Sequence, residues 1–243
     1  VTTATDRATF LVEGRWCVEA LIDNHEITID RIVRSMGRHE DIDEIAEKRG
    51  AAIEIVSRES MAEQVGYPFH RGIYAVAMRP GPRSAPLSPA GGIWVALPEL
   101  ADESNLGSII RTAAALGAAG ILLSLNRGAD PYSRKSIRHS SGAVFRLPIY
   151  QSLNLEHDLE RFSEASFAIL GLALTPESLP LHRLGPGDRA KSVVLFGPEK
   201  GGLPQNWLDL CDRKLIIPMA DGVDSLNVAA CAAITLHELL RRD

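Results

Sequence analysis

The chain alternates between short apolar runs and longer stretches in which apolar residues recur every three or four positions. In its second half the runs are IWVAL (93–97), GILLS (120–124), AVFRLPI (143–149), FAILGLAL (167–174), SVVLF (192–196) and KLIIP (214–218). Runs this short and this uniformly apolar predict strands buried on both faces. Helical periodicity separates most of them, over Asn105–Leu116, Leu155–Ala165 and Ser225–Arg241. The pattern predicts an α/β fold with a parallel sheet covered on both faces.

A smaller alternation precedes these runs. It predicts a helix over about Glu13–Ile22, a strand ITIDRIV (27–33), an acidic helix over about Asp41–Arg49, a strand AIEIV (52–56), a short helix and a strand GIYAVAM (72–78). The stretch RPGPRSAPLSPAGG (79–92) then places four prolines among Gly and Ser, which is typical of a linker. We therefore expect a small α/β unit at 1–80, a linker at 81–92 and a larger domain at 93–243.

Charge and cysteine usage narrow the class of protein only slightly. The formal net charge is −5, so the charge of the whole chain does not indicate a nucleic-acid partner. One local strip differs: Arg127, Arg134, Lys135, Arg138 and Arg146 face a single acid, Asp130. Such a strip is compatible with a phosphate-bearing partner, although charge alone indicates a solvated face equally well.

Three further features set expectations about the setting of the protein. The cysteines, Cys17, Cys211 and Cys231, are odd in number and widely separated, which predicts reduced thiols in the cytoplasm and no metal site. The N-terminal stretch lacks the apolar core of a signal peptide, and no apolar run is long enough to span a bilayer. We expect no membrane partner.

Chemistry is expected where strands run into helices, because ligands of parallel sheets bind beyond the carboxyl ends of the strands. GxGxxG, GxxxxGK[ST] and HExxH are all missing, and HSSGA (139–143) lacks the first glycine of a nucleophile elbow. These absences argue against a dinucleotide enzyme, a phosphate-loop NTPase and a serine hydrolase.

Three junctions carry unusual polar residues, and each also has a purely structural explanation. Asn105 stands at a helix start, where it could cap the helix, and Arg111 follows six residues later, on what we expect to be a similar side. Gly197 and Glu199 follow SVVLF, where glycines suit either a simple turn or a close backbone approach to a ligand. Ser225 and Asn227 precede the last helix, where they too could serve as caps.

Three segments, in this order, resemble the signature motifs of one enzyme family. NLGSIIRTAAALG (105–117), LFGPEKGGL (195–203) and IPMADGVDSLNVAACAAI (217–234) are similar to those of the SpoU family of knotted, SPOUT-class RNA 2′-O-ribose methyltransferases that use S-adenosylmethionine. The resemblance covers about residues 93–240. Pro198 departs from it, because many members have Asn there. FLVEGRWCVEAL and YPFHRGIYAV look more loosely like the small RNA-binding domain that often precedes the catalytic one.

The resemblance implies roles for individual residues. It implies S-adenosylmethionine as the cofactor, with Thr175, Gly197, Ile217, Met219 and Leu226 around it. It implies a catalytic group of Asn105, Arg111, Glu199, Ser225 and Asn227. Arg111 is the family's proposed base. A guanidinium with a pKa above about 12 is a poor base, so we expect Arg111 to orient the ribose and its phosphate and to stabilise alkoxide charge. Glu199 would hold Arg111 or take the proton through water.

The same resemblance gives partners and architecture. It implies an RNA substrate, ribosomal or transfer RNA, a C-terminal trefoil knot and a homodimer whose subunits share a site. Arg134, Lys135 and Arg138 then become candidate phosphate contacts, and Tyr132 a candidate base-stacking residue. Two alternatives stay open: a non-catalytic RNA-binding or ribosome-assembly protein that keeps the fold, and a small-molecule α/β enzyme that uses the same pocket.

Overall fold

The computed structural model contains two β-sheets joined by the predicted linker. It describes residues 8–86, 89, 91–125, 127–198, 200–223 and 225–241. Residues 9–78 form a four-stranded mixed sheet, and residues 92–216 contribute seven strands to a second sheet. The boundary between the sheets falls in the Pro- and Gly-rich stretch, of which positions 87, 88 and 90 lie outside the described residues.

The first sheet has the strand order β1-β4-β2-β3. Its strands are β1 (Thr9–Glu13), β2 (Ile29–Ser35), β3 (Ala52–Val56) and β4 (Ile73–Met78), with helices α1 (Arg15–Asp23), α2 (Ile42–Lys48) and α3 (Arg58–Val65) between them. β2 and β3 are parallel, while β4 runs antiparallel to both β1 and β2. β1 was not predicted from the sequence, because only Gly14 separates its five residues from α1.

The second sheet is parallel at every pairing, as the near-continuous apolar runs predict. Its strands are β5 (Gly92–Leu97), β6 (Gly120–Ser124), β7 (Ile149–Ser152), β8 (Ala168–Leu172), β9 (Leu179–Pro180), β10 (Lys191–Leu195) and β11 (Arg213–Ile216). Their order is β7-β6-β5-β10-β8-β11-β9. β10, β8 and β11 are therefore neighbours, so the loops that follow them emerge side by side at one edge.

Helices cover this sheet. They are α4 (Glu103–Leu116), α5 (Arg134–Ser140), α6 (Leu155–Glu164), α7 (Pro186–Ala190), α8 (Gln205–Leu208) and α9 (Val228–Leu240), with short 3-10 helices at Ala143–Phe145 and Leu181–Arg183. α4 packs against both α5 and α9. Gly107 permits the first of these contacts, because a Cβ there would lie 2.5 Å from the carbonyl oxygen of Ser136 and 2.6 Å from Cβ of His139.

Much of the basic strip is helix α5, whose Ser136, Ile137 and Ser140 are buried and whose Arg134, Lys135 and Arg138 are exposed. One prediction about the middle of the chain is wrong: AVFRLPI was expected to be a strand, but 143–145 form a 3-10 helix and the strand begins only at Ile149. An apolar run with Pro148 inside it does not separate a strand from a buried turn.

The two sheets are packed together through one continuous apolar core. Phe10, Val18 and Leu21 of the first unit lie in the same buried cluster as Ile137 and Phe145 of the second. Polar contacts reinforce this packing: Asn24 donates to the Phe145 carbonyl at 2.8 Å, and both carboxylate oxygens of Asp130 accept from Arg79. The linker thus separates two sheets and not two cores.

The helices and the polar side chains also bear on membrane and metal binding. Within the described ranges, the helices are too short or too polar for any of them to cross a bilayer. The described residues include no cluster of three His, Cys, Asp or Glu side chains suited to a metal ion. All three cysteines are free thiols, with Cys17 buried.

Candidate active site

A cavity opens at the carboxyl edge of the second sheet, where the loops after β8, β10 and β11 meet the start of α9. Its volume is about 450 Å³. We call it the edge cavity. Its wall contains Leu172, Ala173, Leu174, Thr175, Phe196, Gly197, Pro198, Gly201, Gly202, Leu203, Leu208, Leu215, Ile216, Ile217, Met219, Ser225, Leu226, Val228 and Cys231. All five residues that the resemblance assigns to the cofactor, Thr175, Gly197, Ile217, Met219 and Leu226, are in this set.

The chemistry of the wall fits an adenosine-bearing cofactor. The described wall residues are uncharged, and most are aliphatic or glycine. Such a surface supplies apolar contact to a flat base, while loop backbone groups and the hydroxyls of Thr175 and Ser225 supply a few directed hydrogen bonds. The volume lies in the range typical of small-molecule sites, about 300–1,000 Å³. Leu174 and Leu226 remain 61% and 39% exposed, so apolar surface is left open at the mouth.

Gly197 serves the loop itself as well as the cavity. A Cβ at this position would lie 2.3 Å from the backbone nitrogen of Leu203 and 2.4 Å from the carbonyl carbon of Gly202. No side chain can be accommodated between these backbone segments without moving the loop. Gly197 therefore permits a tight turn, and the loop that makes this turn also lines the cavity.

A hydrogen bond joins two of the predicted catalytic residues beside the cavity. Nδ2 of Asn227 donates to Oδ1 of Asn105 at 3.0 Å. The Oδ1 atom of Asn227 accepts from the backbone nitrogens of Ala229 and Ala230 at 2.9 and 3.3 Å, so Asn227 is the N-cap of α9. α9 thus begins at Val228 and not at Ser225, and Ser225 lines the cavity instead of capping the helix.

The cap of α4 also differs from the prediction. Asp102, not Asn105, is the N-cap residue, and its Oδ1 accepts from the backbone nitrogen of Asn105 at 2.8 Å. Lys135 Nζ lies 3.1 Å from the other oxygen of this carboxylate. The Asn105 backbone donor and then Lys135 lower the pKa of Asp102 to about 2. Because Asp102 caps the helix, the side chain of Asn105 can face Asn227.

Arg111 does not line the edge cavity. It is exposed and lines a separate groove with Ala114, Ser140, Ser141 and Arg146, among others. The prediction that Arg111 and Asn105 share a side of α4 is wrong. Six residues at 100° each leave two side chains about 120° apart around a helix. One chain alone therefore does not bring Arg111 to the edge cavity.

The remaining catalytic candidate, Glu199, lies outside the described residues. Sequence reasoning also missed Leu203, Val228 and Cys231 on the cavity wall. Cys231 follows Asn227 by one helical turn, so its place at the cavity could be found only once the start of α9 was known. The sequence signal for Leu203 was the preceding pair of glycines.

The basic strip carries less free charge than its sequence indicates. Arg134 Nε lies 2.6 Å from Oε1 of the buried Glu13, and its guanidinium stacks over Tyr67 at 3.9 Å from the ring centroid. Lys135 pairs with Asp102. Tyr132 is 8% exposed and packs against Phe10, so the base-stacking assignment is wrong. Arg138 is exposed and has no carboxylate partner among the described residues.

A parallel α/β sheet with an apolar, loop-lined cavity at its carboxyl edge is typical of α/β proteins that bind a small ligand there. Comparison with known proteins gives the family. Residues 92–237 match the SpoU rRNA Methylase family. The 23S rRNA (guanosine-2′-O-)-methyltransferase RlmB of Acinetobacter baylyi is 32% identical over 210 residues, 82% of each chain. An uncharacterized tRNA/rRNA methyltransferase of Mycolicibacterium gilvum is 31% identical over 82% of this chain and 64% of its own length, just under two thirds. The chain belongs to the SpoU rRNA methylase family.

Solved structures agree with this assignment over nearly the whole chain. An AdoMet-bound rRNA methyltransferase from Sinorhizobium meliloti superposes with a TM-score of 0.80 at 27% identity, covering 97% of this chain and 88% of its own. The SpoU methyltransferase AviRb from Streptomyces viridochromogenes gives a TM-score of 0.80 at 25% identity, covering 97% and 90%. The similarity includes the first sheet as well as the second. The fold expected from the sequence, an α/β enzyme with a parallel methyltransferase sheet behind a small α/β unit, is confirmed at the level of its sheets.

Proposed function

We propose that this protein transfers a methyl group from S-adenosylmethionine to a ribose 2′-hydroxyl of structured RNA. The observation that carries the proposal is the edge cavity: the positions that resemble the family's cofactor residues lie on one wall, and Asn105 and Asn227 are bonded beside it. The similarity to a 23S rRNA methyltransferase favours ribosomal RNA over transfer RNA. The cytoplasm is the proposed setting of the reaction, consistent with three free thiols.

The cofactor would lie in the edge cavity. Leu226 and Ile217 would pack against the adenine, and backbone groups of the loops after β8, β10 and β11 would read its edge. When bound, S-adenosylmethionine supplies an electrophilic methyl group on its sulfonium. Thr175 is held in place on the cavity wall by Ser178, whose Oγ lies 3.0 Å from the Thr175 hydroxyl oxygen.

The reacting ribose would lie at the mouth of the cavity, where Ser225, Asn227 and Asn105 are found. The reaction forms an O–C bond at the 2′-oxygen as the methyl–sulfur bond breaks, and the hydroxyl proton must leave. Asn227 and Asn105 orient each other, so their amides can hold the ribose and its phosphate in line with the methyl group. Arg111 stabilises the charge that develops on the 2′-oxygen. Glu199 or a water molecule takes the proton.

We further propose that the protein is a homodimer with shared sites and that its C-terminal domain forms the family's trefoil knot. α9 leaves Ala230, Ile234 and His237 exposed, with Ile234 at 43%. α4, which carries Arg111, packs directly beside α9. Because Arg111 lies outside the edge cavity of its own chain, its role in catalysis requires a second chain, whose cavity it completes.

The N-terminal unit is proposed to bind the RNA substrate, as the looser resemblance of FLVEGRWCVEAL and YPFHRGIYAV implies. Its packing against α5 and the 143–145 turn fixes it relative to the catalytic sheet. Substrate held by this unit would therefore be presented to the second sheet in one orientation. Of the basic residues proposed for this contact, Arg138 is the one whose guanidinium is free of carboxylates among the described residues, while Arg134 and Lys135 would have to exchange theirs for phosphate.

The experiment that tests the function is transfer of radiolabelled methyl to ribosomal RNA from cells that lack this protein. The product should resist alkaline cleavage at one ribose, and Asn227→Ala should abolish most of the transfer while the wild type retains it. Binding of S-adenosylmethionine without transfer to any RNA would support the non-catalytic alternative. Transfer that needs no RNA would support the small-molecule alternative. Either result would contradict the proposal.

A further inference from the structure

Two concave surfaces on the side of α4 that carries Arg111 share a common wall. The first, of about 410 Å³, contains Arg111. The second, of about 770 Å³, lies between the start of the linker, the α1–β2 loop and β7. Arg146, Leu147 and Pro148 line both. The two surfaces therefore adjoin at these three residues, and we call them together the Arg83–Arg111 groove after a cation in each.

The groove is positively charged on a chain that is acidic overall. Its charged wall residues are Arg83, Arg111 and Arg146, against a single acid, Glu26. Arg111 and Arg146 have no carboxylate within 4.0 Å among the described residues. Arg83 pairs with Glu26 at 2.7 Å, but both side chains are more than half exposed, so this pair holds Arg83 only weakly. Unpaired guanidinium groups spaced along a groove suit a chain of phosphates.

One end of the groove also carries a flat platform. The guanidinium of Arg83 lies 4.9 Å from the centroid of the Tyr150 ring, and Tyr150 is itself packed against Trp94 with ring centroids 5.8 Å apart. The Tyr150 side chain is buried, whereas Arg83 is 52% exposed. A guanidinium held over a buried ring presents its outer face to solvent, and such planes stack unpaired RNA bases. The platform distinguishes this groove from a surface that only attracts anions.

We propose that the Arg83–Arg111 groove binds a single-stranded stretch of the substrate RNA next to the methylated nucleotide. Arg146 contacts the phosphates in the middle of the groove, and a base stacks on Arg83. Arg111 lies in the first of the two surfaces, so a strand bound along the groove would lead to the ribose on which Arg111 acts. The inference rests on the proposed function, because it takes the substrate to be RNA.

The groove favours a single strand over a duplex for geometric reasons. Sequence-tolerant recognition of unpaired RNA uses concave basic channels with stacking planes, whereas duplex RNA is read by shape across its minor groove. The second surface is lined by the α1–β2 loop, the start of the linker, Tyr132 and 144–151. A base inside a duplex is stacked on its neighbours, whereas an unpaired base can stack on the exposed guanidinium of Arg83.

The test is binding of fluorescein-labelled oligouridylate, compared with a blunt RNA duplex of equal length, by anisotropy over a range of salt concentrations. Arg146→Ala should weaken oligouridylate binding about tenfold. It should also reduce the slope of log K against log salt by about 0.7, the value of one lost phosphate contact on a single strand. Arg83→Lys keeps the charge and loses the plane, so affinity should fall without a change in slope.

Arg183→Ala is the matched control. Arg183 is exposed and has no carboxylate partner among the described residues, and it follows β9, at the opposite edge of the sheet from β7. Its removal should leave both affinity and slope unchanged. In the methyl-transfer assay, Arg146→Ala should raise the KM for RNA with kcat and S-adenosylmethionine affinity unchanged.

Three results would overturn the inference. They are an unchanged salt slope in Arg146→Ala, equal loss of oligouridylate binding in Arg183→Ala, and duplex binding as tight and as sensitive to Arg146→Ala as that of the single strand. Competition by oligoglutamate as effective as that by unlabelled oligouridylate would reduce the groove to a general anion surface and would also overturn it. If the wild type methylates RNA while Arg146→Ala keeps its KM, the groove inference fails and the proposed function stands.

Discussion

At the scale of single residues, Asn227 uses both ends of its amide. Its oxygen caps α9 and its nitrogen donates to Asn105 across the mouth of the edge cavity. Capping and membership of the site had appeared to be competing explanations from the sequence. An amide can serve both because it offers a donor and an acceptor on separate atoms. Ser225, with one hydroxyl, is left free of the cap and faces the cavity.

Residue-scale prediction from the sequence succeeded where backbone geometry dictates residue type. Gly197 stands where a Cβ would collide with neighbouring backbone, and a close backbone approach was one of the two explanations that the sequence offered for it. Prediction failed for Tyr132, and it did not include the pairing of Arg134 with Glu13 and Tyr67, because Phe10, Glu13 and Tyr67 come from more than sixty residues away. Local charge and aromatic content carry no information about such distant partners.

Cys231 offers a residue-scale prediction about the edge cavity. Burial raises the pKa of this thiol, so its thiolate fraction at neutral pH is small and its reaction with N-ethylmaleimide should be slow. Because Cys231 lines the cavity, S-adenosylmethionine at about ten times its Kd should slow labelling about tenfold more. Peptide mass spectrometry after timed quenching measures both rates.

Cys211 is the internal control for this experiment. Burial raises its pKa to about 12, and it packs on Gly171 and not on the cavity wall. Its labelling rate should be unaffected by the cofactor. Equal rates at Cys231 with and without the cofactor would place S-adenosylmethionine elsewhere.

At the scale of elements, hydrophobic periodicity identified most strands of the second sheet to within one or two residues. Their apolar runs are short because both faces are buried, and this signature does not depend on distant sequence. α5 escaped detection because its sequence, RKSIRHS, has Ile137 as its one apolar residue and so gives no apolar periodicity. Its backbone at Ser136 and Ser140 packs closely against Gly107 of α4, a contact that no local pattern encodes.

The packing of α4 on α5 gives an element-scale prediction. Gly107→Ala should lower the free energy of unfolding by about 1–3 kcal/mol, because the new methyl group overlaps the Ser136 carbonyl and His139. Chemical denaturation followed by far-ultraviolet circular dichroism measures the change. The same variant displaces the start of α4, so methyl transfer should fall as well.

Gly187→Ala is the control for that variant. Gly187 lies in α7, where an added Cβ would meet no atom within 4 Å and where φ is outside the left-handed region. Alanine there should leave stability unchanged or raise it by up to about 1 kcal/mol. A Gly107→Ala protein as stable as Gly187→Ala would show that the two helices can separate without cost.

At the scale of the whole molecule, the distance of Arg111 from its own edge cavity makes subunit exchange a decisive test. Chains carrying Arg111→Ala or Asn227→Ala should each be inactive alone. If sites are shared, a dimer of the two kinds has one site with both residues intact and one with both removed. Random mixing should then restore about a quarter of wild-type methyl transfer, because half of the dimers are mixed and each has one working site.

The contrary outcome is equally clear. If each chain uses its own Arg111, no combination of the two variants contains an intact site, and the mixture stays as inactive as its components. Light scattering on each preparation must show dimers, since monomers would contradict the shared site directly. The hydrophobic pattern of α9 does not indicate the arrangement of chains, because such a helix looks the same when it is buried in one chain and when it lies in an interface. The shared site was implied only by the family resemblance.

The contact between the two units limits how new substrate preferences can arise in this protein. A Cβ on Gly142 would lie 3.0 Å from that of Ala20 and 3.2 Å from Cα of Cys17, so the turn after α5 is shaped to one particular helix α1. A chimera that exchanges only residues 1–80 for those of a relative would clash or leave a void at this turn. The exchangeable block must carry α5 and 143–145 along with the N-terminal unit. Recombination between family members should therefore preserve these two segments as a pair.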